Sequence, residues 1–321
     1  MGFPDTVFPL RILLVVNSFA SSVTARNTVV VHQALSRDHE VQMVETNRRG
    51  HATRFAQDAA RRGLDVVVAF GGDGTLNEVA TGLAGTDTAL AVMPGGSTNV
   101  FARTIGLKND PAVAVKQIVG GLKDGRGEPI GLGRVNGRYF CFHTGIGFDA
   151  AVVREVEKRA SLKRYAGHPL FVAASLQTWL AKYDRAKPHF RVIGDNWRVD
   201  EGFFTVVLNT NPYTYLGNRP LDLSPAATLD RGLVAVSFKT LSAGAVLKTL
   251  FGALRGGGIK VDAKNADILD VHTDLSHLIV SSEEHFPFQL DGDYLGETTN
   301  LEFHHVPEAL RMVRPTPASS L

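Results

Sequence analysis

The sequence predicts an α/β domain with an open, mainly parallel sheet, followed by a C-terminal domain built as an antiparallel β-sandwich. Its 321 residues suggest about two domains of ordinary size. Hydrophobic residues make up 44% of the chain, which is enough apolar material for two cores. The pattern also changes along the chain: apolar runs alternate with helical segments in the first third, and short strands separated by turns follow.

The first third has the pattern of an open parallel sheet. Three apolar runs do not alternate with polar residues, which is typical of strands buried on both faces; they cover residues 11–17, 65–70 and 89–93. The run at residues 40–45 does alternate, so we expect it nearer the sheet edge. Helical patterns lie between these runs, at residues 24–36, 50–62 and 75–83. Strand–helix–strand repetition predicts right-handed βαβ units.

The pattern changes after a predicted helix at residues 111–122 and a boundary at residues 123–127. Asn136-Gly137 predicts a type I′ hairpin between two short strands. Further strands are predicted at residues 190–193, 203–209, 233–238, 266–272, 277–281 and 300–304. Helices are expected near residues 152–182 and 243–255, and the tail at residues 315–321 is expected to be disordered. This succession favours an antiparallel sandwich.

Composition excludes several classes of protein. The 34 basic and 32 acidic residues give a net charge of +2, which argues against a general nucleic-acid binder. The single Cys141 excludes an intrachain disulfide, and we expect it to be a buried strand residue. No apolar run reaches the roughly 18 residues of a membrane span, and no signal peptide is evident, so a cytoplasmic protein is expected. The histidines show no metal-binding spacing, and adjacent His304 and His305 would face opposite sides of a strand.

The strongest motif is the segment Gly71-Gly72-Asp73-Gly74-Thr75-Leu76-Asn77-Glu78. It follows a buried strand and precedes a helix, so its glycines let the backbone approach a ligand at a helix N-terminus that attracts anions. Thr75 can cap that helix or contact a phosphate. Asp73 suits a Mg²⁺ ligand or a base for a hydroxyl nucleophile. The alternative is a plain strand–helix turn in which Asp73 is a helix cap.

A second glycine-rich loop, Pro94-Gly95-Gly96-Ser97-Thr98-Asn99, follows the next strand. Turns at the carboxyl ends of adjacent parallel strands face one crevice, where ligands bind in open α/β sheets. Neither loop matches the dinucleotide fingerprint or the P-loop. The first two strands end near Asn17 and Thr46, which are either ligand contacts or routine caps.

Two later segments place acids beside glycines. They are Gly145-Ile146-Gly147-Phe148-Asp149-Ala150 and Asp291-Gly292-Asp293. Acids around a flexible glycine suit Mg²⁺ coordination together with a general base. The alternative for the second segment is an ordinary surface turn.

These motifs, in this order, resemble the diacylglycerol kinase catalytic-domain family, which includes sphingosine and ceramide kinases. The resemblance spans roughly residues 10–305 and is greatest to the soluble bacterial lipid kinases. It implies an α/β nucleotide-binding domain at residues 1–128, to which residues 306–321 return, and a lipid-substrate domain at residues 129–305. It implies ATP contacts at Asn17, Thr46, Gly71, Gly72, Asp73, Gly74, Thr75, Asn77, Gly96 and Ser97. It also implies a catalytic Mg²⁺ network of Asp73, Asp149 and Asp291, with Asp293 or Asp73 as the base.

Three positions depart from the family pattern. Asp293 stands where the family has Glu, so the base has a shorter side chain. Val100 replaces an acid after the second loop. Bacterial members often hold a structural Mg²⁺ in the second domain, at positions that match Thr228, Arg231 and Leu233 here. Because a guanidinium cannot ligate a cation, we predict that this site is lost and that Arg231 forms an ion pair instead.

The resemblance implies a kinase that reaches its lipid at an anionic membrane surface without spanning it. Two segments could contact lipid: residues 154–164, which are rich in Arg and Lys, and residues 243–260, which have apolar residues at helical spacing. The alternative for each is a solvated helix face over an ordinary core. A homodimer is compatible with the sequence, which contains no specific signal for one.

Diacylglycerol is the first acceptor to expect, and a sphingoid base, ceramide or another lipid alcohol is the alternative. One rival is an NAD kinase-like enzyme, which shares the first glycine motif but not the second. The other rival is a nucleotide-binding regulator without catalysis. This alternative rests on Val100 and Asp293, which depart from the family pattern.

Overall fold

The computed structural model describes residues 9–123, 127–158, 175, 177–178, 183–254, 258–259, 261 and 266–318. The chain falls into two compact units. The first comprises Met1–Ile130 and Glu308–Leu321, and the second comprises Gly131–Pro307. The α/β and antiparallel patterns predicted from the sequence correspond to these two units.

The first unit is built on four parallel strands in the order β4-β3-β1-β2. They are β1 (Arg11–Val16), β2 (Glu40–Glu45), β3 (Val66–Gly71) and β4 (Ala89–Pro94). Its helices are α1 (Ala25–Ser36), α2 (His51–Arg61), α3 (Asp73–Leu83), α4 (Val100–Thr104) and α5 (Pro111–Leu122). Every residue of β3 and β4 is buried, whereas β2 is at the edge, as its alternating sequence predicted.

The second unit contains antiparallel strands and two described helices. The strands are β5 (Glu128–Val135), whose first residues belong to the first unit, β6 (Arg138–Phe140), β7 (His143–Gly147), β8 (Phe190–Ile193), β9 (Arg198–Gly202), β10 (Phe204–Leu208), β11 (Thr214–Leu216), β12 (Arg219–Leu221), β13 (Leu233–Phe238), β14 (Leu269–Leu275), β15 (His277–Leu290) and β16 (Asp293–Met312). The helices are α6 (Phe148–Glu157) and α7 (Ala243–Leu254). Asn136 and Gly137 both have positive φ, 45° and 82°, as the predicted type I′ turn requires.

The antiparallel strands of the second unit run in the order β14-β13-β10-β7-β15-β16, and they bury two separate apolar clusters. Successive residues of β10 show the division: Val207 belongs to one cluster, whereas Val206 and Leu208 belong to the other. Because side chains alternate across a strand, the same sheet supplies both cores. The end of β16 returns to the first unit, where Met312 pairs with Leu90 in parallel register.

The structure corrects two expectations and adds one helix. The tail is not disordered at residues 315–318, because the Thr316 N–H donates to the Gln117 carbonyl at 3.0 Å and the buried Gln117 amide donates back to Thr316 at 3.0 Å. Residues 319–321 lie outside the described part. The predicted helix at 152–182 begins earlier, at Phe148, and most of its remainder lies outside the described residues. The short helix α4 was not predicted.

Candidate active site

The two glycine-rich turns lie in backbone contact at the carboxyl ends of β3 and β4. Gly71 pairs with Pro94 in parallel register, and the Gly95 N–H donates to the Gly71 carbonyl at 2.8 Å. A Cβ on Gly95 would lie 2.8 Å from the Gly71 Cα, and a Cβ on Gly96 would lie 2.9 Å from the Gly72 Cα. Side chains at these positions would push the turns apart. The sequence-based expectation that both turns share one crevice therefore agrees with their geometry.

Helix α3 begins inside the first turn, with Gly72 as its N-cap residue. Its first backbone N–H groups have no partner within the helix, and they carry the positive end of the helix dipole. The buried Thr75 hydroxyl accepts a hydrogen bond from the Asn17 amide at 2.9 Å. Asn17, at the end of β1, is thereby joined to the turn that follows β3. Gly74 and Ser97 are exposed, and Asn77 is half-buried.

Asp73 holds the second loop through the start of α4. One carboxylate oxygen accepts the Val100 N–H at 3.0 Å, and the other accepts the Phe101 N–H at 3.2 Å. Asp73 therefore caps a helix, but that helix is α4 and not the one in which it lies. Val100, at the position where the family has an acid, is buried and contributes its backbone N–H to this contact.

Asn99 is a residue of this site that sequence reasoning did not single out. Its backbone is left-handed, with φ 50°, and its buried side chain closes the loop by accepting from the Gly96 N–H and donating to the Gly96 carbonyl, both at 2.8 Å. A local signal existed, because Asn tolerates this conformation in turns. Thr46 is buried, and its N–H donates to the Val16 carbonyl at 2.9 Å beside Asn17.

In the second unit, the Asp149 carboxylate is buried and accepts two side-chain hydrogen bonds. The Tyr213 hydroxyl donates to Oδ1 in a short contact, and the Gln289 amide donates to Oδ2 at 2.6 Å. A Cβ on Gly145 would overlap Asp149 Oδ2, so the first glycine of this motif makes room for the acid. Burial raises the pKa of Asp149, and these two hydrogen bonds oppose the shift.

Asp291 is buried at the turn between β15 and β16, with φ 48°. Its carboxylate accepts backbone N–H groups from Cys141 at 2.7 Å, Phe142 at 3.0 Å and His143 at 3.1 Å. These donors satisfy the carboxylate and tie the turn to the segment that leads into β7. Asp293, two residues later, is half-buried.

Gln289 connects the two acidic segments. Its amide nitrogen donates to Asp149, and its amide oxygen accepts the Gly292 N–H at 2.8 Å. Neither Gln289 nor Tyr213 was singled out from the sequence, because both lie far along the chain from Asp149. The one available signal was an amide side chain in an apolar strand.

His143 lies against Tyr213, with ring centroids 4.5 Å apart. It is buried, and no described residue makes a hydrogen bond to its Nδ1 atom. Burial lowers the pKa of His143 to about 3, so the ring is neutral at physiological pH. Cys141, two residues before His143, is buried as expected, but it lies in the bend between β6 and β7 and not in a strand.

An apolar cavity of about 170 Å³ opens beside Asp149. Its lining residues all belong to the second unit: Phe148, Asp149, Val152, Ser175, Phe204, Tyr213, Leu221, Leu223, Phe238, Leu241, Thr249 and Ala253. A buried acid at the wall of an otherwise apolar cavity is the arrangement that a ligand with one polar end and an apolar body requires.

The turn expected to have lost a structural Mg²⁺ is held by backbone contacts. The Arg231 N–H donates to the Thr228 carbonyl at 3.1 Å, Leu233 is buried, and the Gly232 N–H donates to Asp274 Oδ1 at 3.0 Å. The Arg231 side chain is exposed. It makes no ion pair with the described residues, so the predicted ion pair is not seen.

The candidate membrane segments are only partly described. In the first, Arg154 pairs with Glu297 at 3.0 Å and Lys158 pairs with Glu155 at 2.8 Å, and residues 159–164 lie outside the described part. In the second, α7 is confirmed as a helix with Lys248 exposed. No helix among the described residues is long and apolar enough to cross a membrane.

Comparison with known proteins identifies the family. The diacylglycerol kinase catalytic domain model matches residues 11–131. A Pseudomonas aeruginosa protein named probable lipid kinase YegS-like is 32% identical over 308 residues, covering 95% of this chain and 94% of the relative. The chain belongs to the diacylglycerol kinase catalytic-domain family. It is therefore a lipid kinase by family, as its motifs indicated.

A further curated relative agrees with this assignment, and a solved structure has the same fold. The diacylglycerol kinase of Bacillus subtilis is 28% identical over 274 residues, covering 83% of this chain and 84% of the relative. The crystal structure of a putative diacylglycerol kinase from Bacillus anthracis superposes with a TM-score of 0.76 at 24% identity, covering 95% of this chain and 96% of that one. This structural likeness supports the fold.

Proposed function

We propose that this lipid kinase transfers the γ-phosphoryl group of ATP to the hydroxyl of diacylglycerol. The observation that carries the proposal is the pair of glycine turns in backbone contact at the ends of β3 and β4, directly before the N-terminus of α3. Backbone N–H groups can approach phosphate oxygens there without obstruction by side chains. Phosphoryl transfer depends mainly on such positioning and on charge neutralisation.

Mg²⁺ fits the side chains present because the candidate donors are carboxylate oxygens, which this hard cation prefers. In the first unit we propose Asp73 as the residue that would hold it, through water because both of its carboxylate oxygens already accept backbone N–H groups. The family resemblance implies the same role for Asp149, whose two side-chain hydrogen bonds likewise leave contact through water. A bound Mg²⁺ would neutralise negative charge on the phosphate oxygens. For Asp291 we propose a positioning role instead, because three backbone N–H groups already satisfy its carboxylate.

We propose Asp293 as the base that takes the proton from the attacking hydroxyl. Both oxygens of the other candidate, Asp73, accept backbone N–H groups that hold the second loop. Asp293 is half-buried at the end of a turn that the buried Asp291 fixes in place. In this proposal Asp291 fixes the conformation of the turn, and Asp293 accepts the proton.

The apolar cavity beside Asp149 supports a lipid acceptor. Its apolar walls suit an acyl chain, and Asp149 marks the end where a polar headgroup would be recognised. Diacylglycerol is proposed because the Bacillus subtilis relative carries the name diacylglycerol kinase. We further propose that the enzyme works at an anionic membrane surface, which the exposed Lys248 on α7 would contact.

The test is transfer of label from γ-labelled ATP into extractable lipid. Purified protein is incubated with Mg²⁺ and anionic mixed micelles that contain diacylglycerol, a sphingoid base, ceramide or phosphatidylglycerol, and NAD serves as a soluble acceptor. Asp293→Asn should lower kcat at least about 100-fold. Asp293→Glu, which restores the residue of the family pattern, should keep most of the activity.

If the wild type forms labelled phosphatidic acid and Asp293→Asn does not, the result supports both diacylglycerol as the acceptor and Asp293 as the base. If another lipid is labelled instead, that lipid is the acceptor and diacylglycerol is not. Full activity of Asp293→Asn, with loss in Asp73→Asn, would move the base to Asp73. Folded protein that binds ATP but labels neither lipid nor NAD would overturn the proposed reaction.

A further inference from the structure

The strands β15 and β16 bring two histidines and a glutamate together at the open end of their hairpin. His277 lies directly opposite His304 in antiparallel register. Glu302 precedes His304 by two residues, so all three side chains project from the same face of the sheet. The adjacent residues Leu278 and Phe303 project from the other face and are fully buried. The backbone beneath the cluster is therefore fixed by the core.

The polar atoms of this cluster converge on one carboxylate oxygen. Glu302 Oε1 lies 3.3 Å from His277 Nε2 and 3.1 Å from His304 Nε2. The two imidazole rings are 4.8 Å apart between centroids, and one ligand atom from each residue lies within 4.8 Å of the others. The side chains are between one-third and one-half exposed, so water can reach them.

Two of the three separations, at which Glu302 is also within hydrogen-bond reach of each histidine, match those around a zinc ion. With bonds of about 2.0–2.1 Å and tetrahedral angles, ligand atoms around zinc lie roughly 3.3 Å apart. Two of the three separations in the cluster already have this length. Imidazole nitrogen and carboxylate oxygen are ligands that Zn²⁺ accepts readily, whereas Mg²⁺ requires oxygen. We propose that His277, Glu302 and His304 form a binding site for Zn²⁺, with water completing the coordination.

The neighbouring β5–β6 turn holds the middle ligand in position. Asn136 Oδ1 accepts the Glu302 N–H at 2.9 Å, and the Asn136 N–H donates to the Glu302 carbonyl at 3.1 Å. Both backbone groups of Glu302 are thus fixed before any metal binds, which lowers the entropy cost of assembling the site. The Asp291-Gly292 turn lies at the opposite end of the same hairpin, and none of the three ligands belongs to the proposed catalytic machinery. A bound ion would tie β15 to β16.

Spacing along the chain does not reveal this site, because its histidines are 27 residues apart and meet only through strand register. The adjacent pair behaves as the strand pattern predicted: His305 lies on the other side from His304, against Gly131. The cluster therefore depends on the cross-strand partner His277 and not on the His304-His305 sequence.

The experiment is a Zn²⁺ titration of the full chain, free of any affinity tag and stripped with chelator. Calorimetry is run with a competing chelator, in excess Mg²⁺ to mask carboxylate sites. His277→Gln and His304→Gln each remove one ligand. His285→Gln is the matched control, because His285 is an exposed histidine on the same strand.

We expect one equivalent of Zn²⁺ on the wild type and on His285→Gln, and affinity at least about tenfold lower for both ligand variants. Zn²⁺ should also raise Tm in the wild type and the control but not in the ligand variants. Equal affinity in all four proteins would place the metal elsewhere and overturn the proposal. Absence of binding to the wild type would overturn it as well. Neither result depends on kinase activity.

Discussion

The Gln289 amide donates to the Asp149 carboxylate across 2.6 Å, and both side chains are buried. The other end of the same amide accepts the Gly292 N–H at 2.8 Å. A single side chain thus links the buried acid beside the apolar cavity to the turn that carries Asp291 and Asp293. Loss of this amide should disturb both positions, although Gln289 belongs to neither acidic motif.

Gln289→Met should therefore lower the free energy of unfolding by about 1–3 kcal/mol, because the buried Asp149 carboxylate and the half-buried Gly292 N–H each lose a partner while the side-chain volume is kept. It should also lower kcat more than it changes KM for ATP. Urea denaturation and initial rates measure the two effects. Gln42→Met is the control. The Gln42 side chain is exposed on β2 and accepts a hydrogen bond from exposed Arg62 at 2.7 Å, so the free energy of unfolding of this variant should stay within about 0.5 kcal/mol of the wild type. Equal stability of both variants would contradict the linking role.

Asp291 and Asp293 should respond oppositely to the same substitution. Asp291→Asn places an amide donor against backbone N–H groups and should cost about 2–3 kcal/mol of stability. Asp293→Asn should change the free energy of unfolding by less than about 1 kcal/mol relative to the wild type, but it should abolish most turnover. Thermal unfolding and lipid phosphorylation, measured on the same preparations, separate the two roles. A stable but inactive Asp291→Asn would instead support the metal-ligand role that the family resemblance implies.

His143 should make the fold sensitive to acid. Its pKa is about 3 in the native state because of burial, and about 6.5 in the unfolded chain. Between these values the unfolded chain binds the extra proton, so stability is complete above about pH 6.5 and falls as the pH decreases. At pH 5 the free energy of unfolding should be about 2 kcal/mol lower than above pH 6.5 because of His143 alone.

The measurement is urea denaturation of wild type and His143→Phe at pH 7.5 and pH 5. The phenyl ring keeps the packing against Tyr213 and removes the titration. The free energy of unfolding of the wild type, relative to that of His143→Phe, should be lower at pH 5 than at pH 7.5. His285→Gln, which alters an exposed histidine, should follow the wild type. A parallel fall in both His143→Phe and the wild type would exclude His143 as the cause.

The parts of the site that depend on local sequence were predictable. The two glycine turns follow buried strands, and the hairpin at Asn136 and Gly137 has a strong two-residue signal. The acids Asp149 and Asp291 were also identified from glycine neighbours. Their hydrogen-bond partners were not, because Tyr213 and the backbone at Cys141 come from distant strands.

Long-range packing likewise explains the misjudged tail. The composition around residue 316 is typical of a disordered end, but the Thr316 backbone and hydroxyl bond to Gln117 on α5. Helix α4 was missed for a similar reason: its N-terminus depends on the Asp73 carboxylate, 27 residues earlier. Neither contact leaves a pattern within a short window of sequence.

The cavity beside Asp149 should set the acceptor chain length. Val152 is 1% exposed and lines the cavity, so Val152→Phe extends an aromatic ring into it. We expect activity on long-chain diacylglycerol to fall at least about tenfold, since each buried methylene contributes about 0.8 kcal/mol. Activity on a short-chain analogue should fall less, because fewer methylenes compete with the ring. Val113→Phe, on an exposed face of α5, is the matched control and should change neither rate. An equal loss for both chain lengths would show that the substitution disturbs Asp149 instead, and the acyl chain would then have to bind elsewhere.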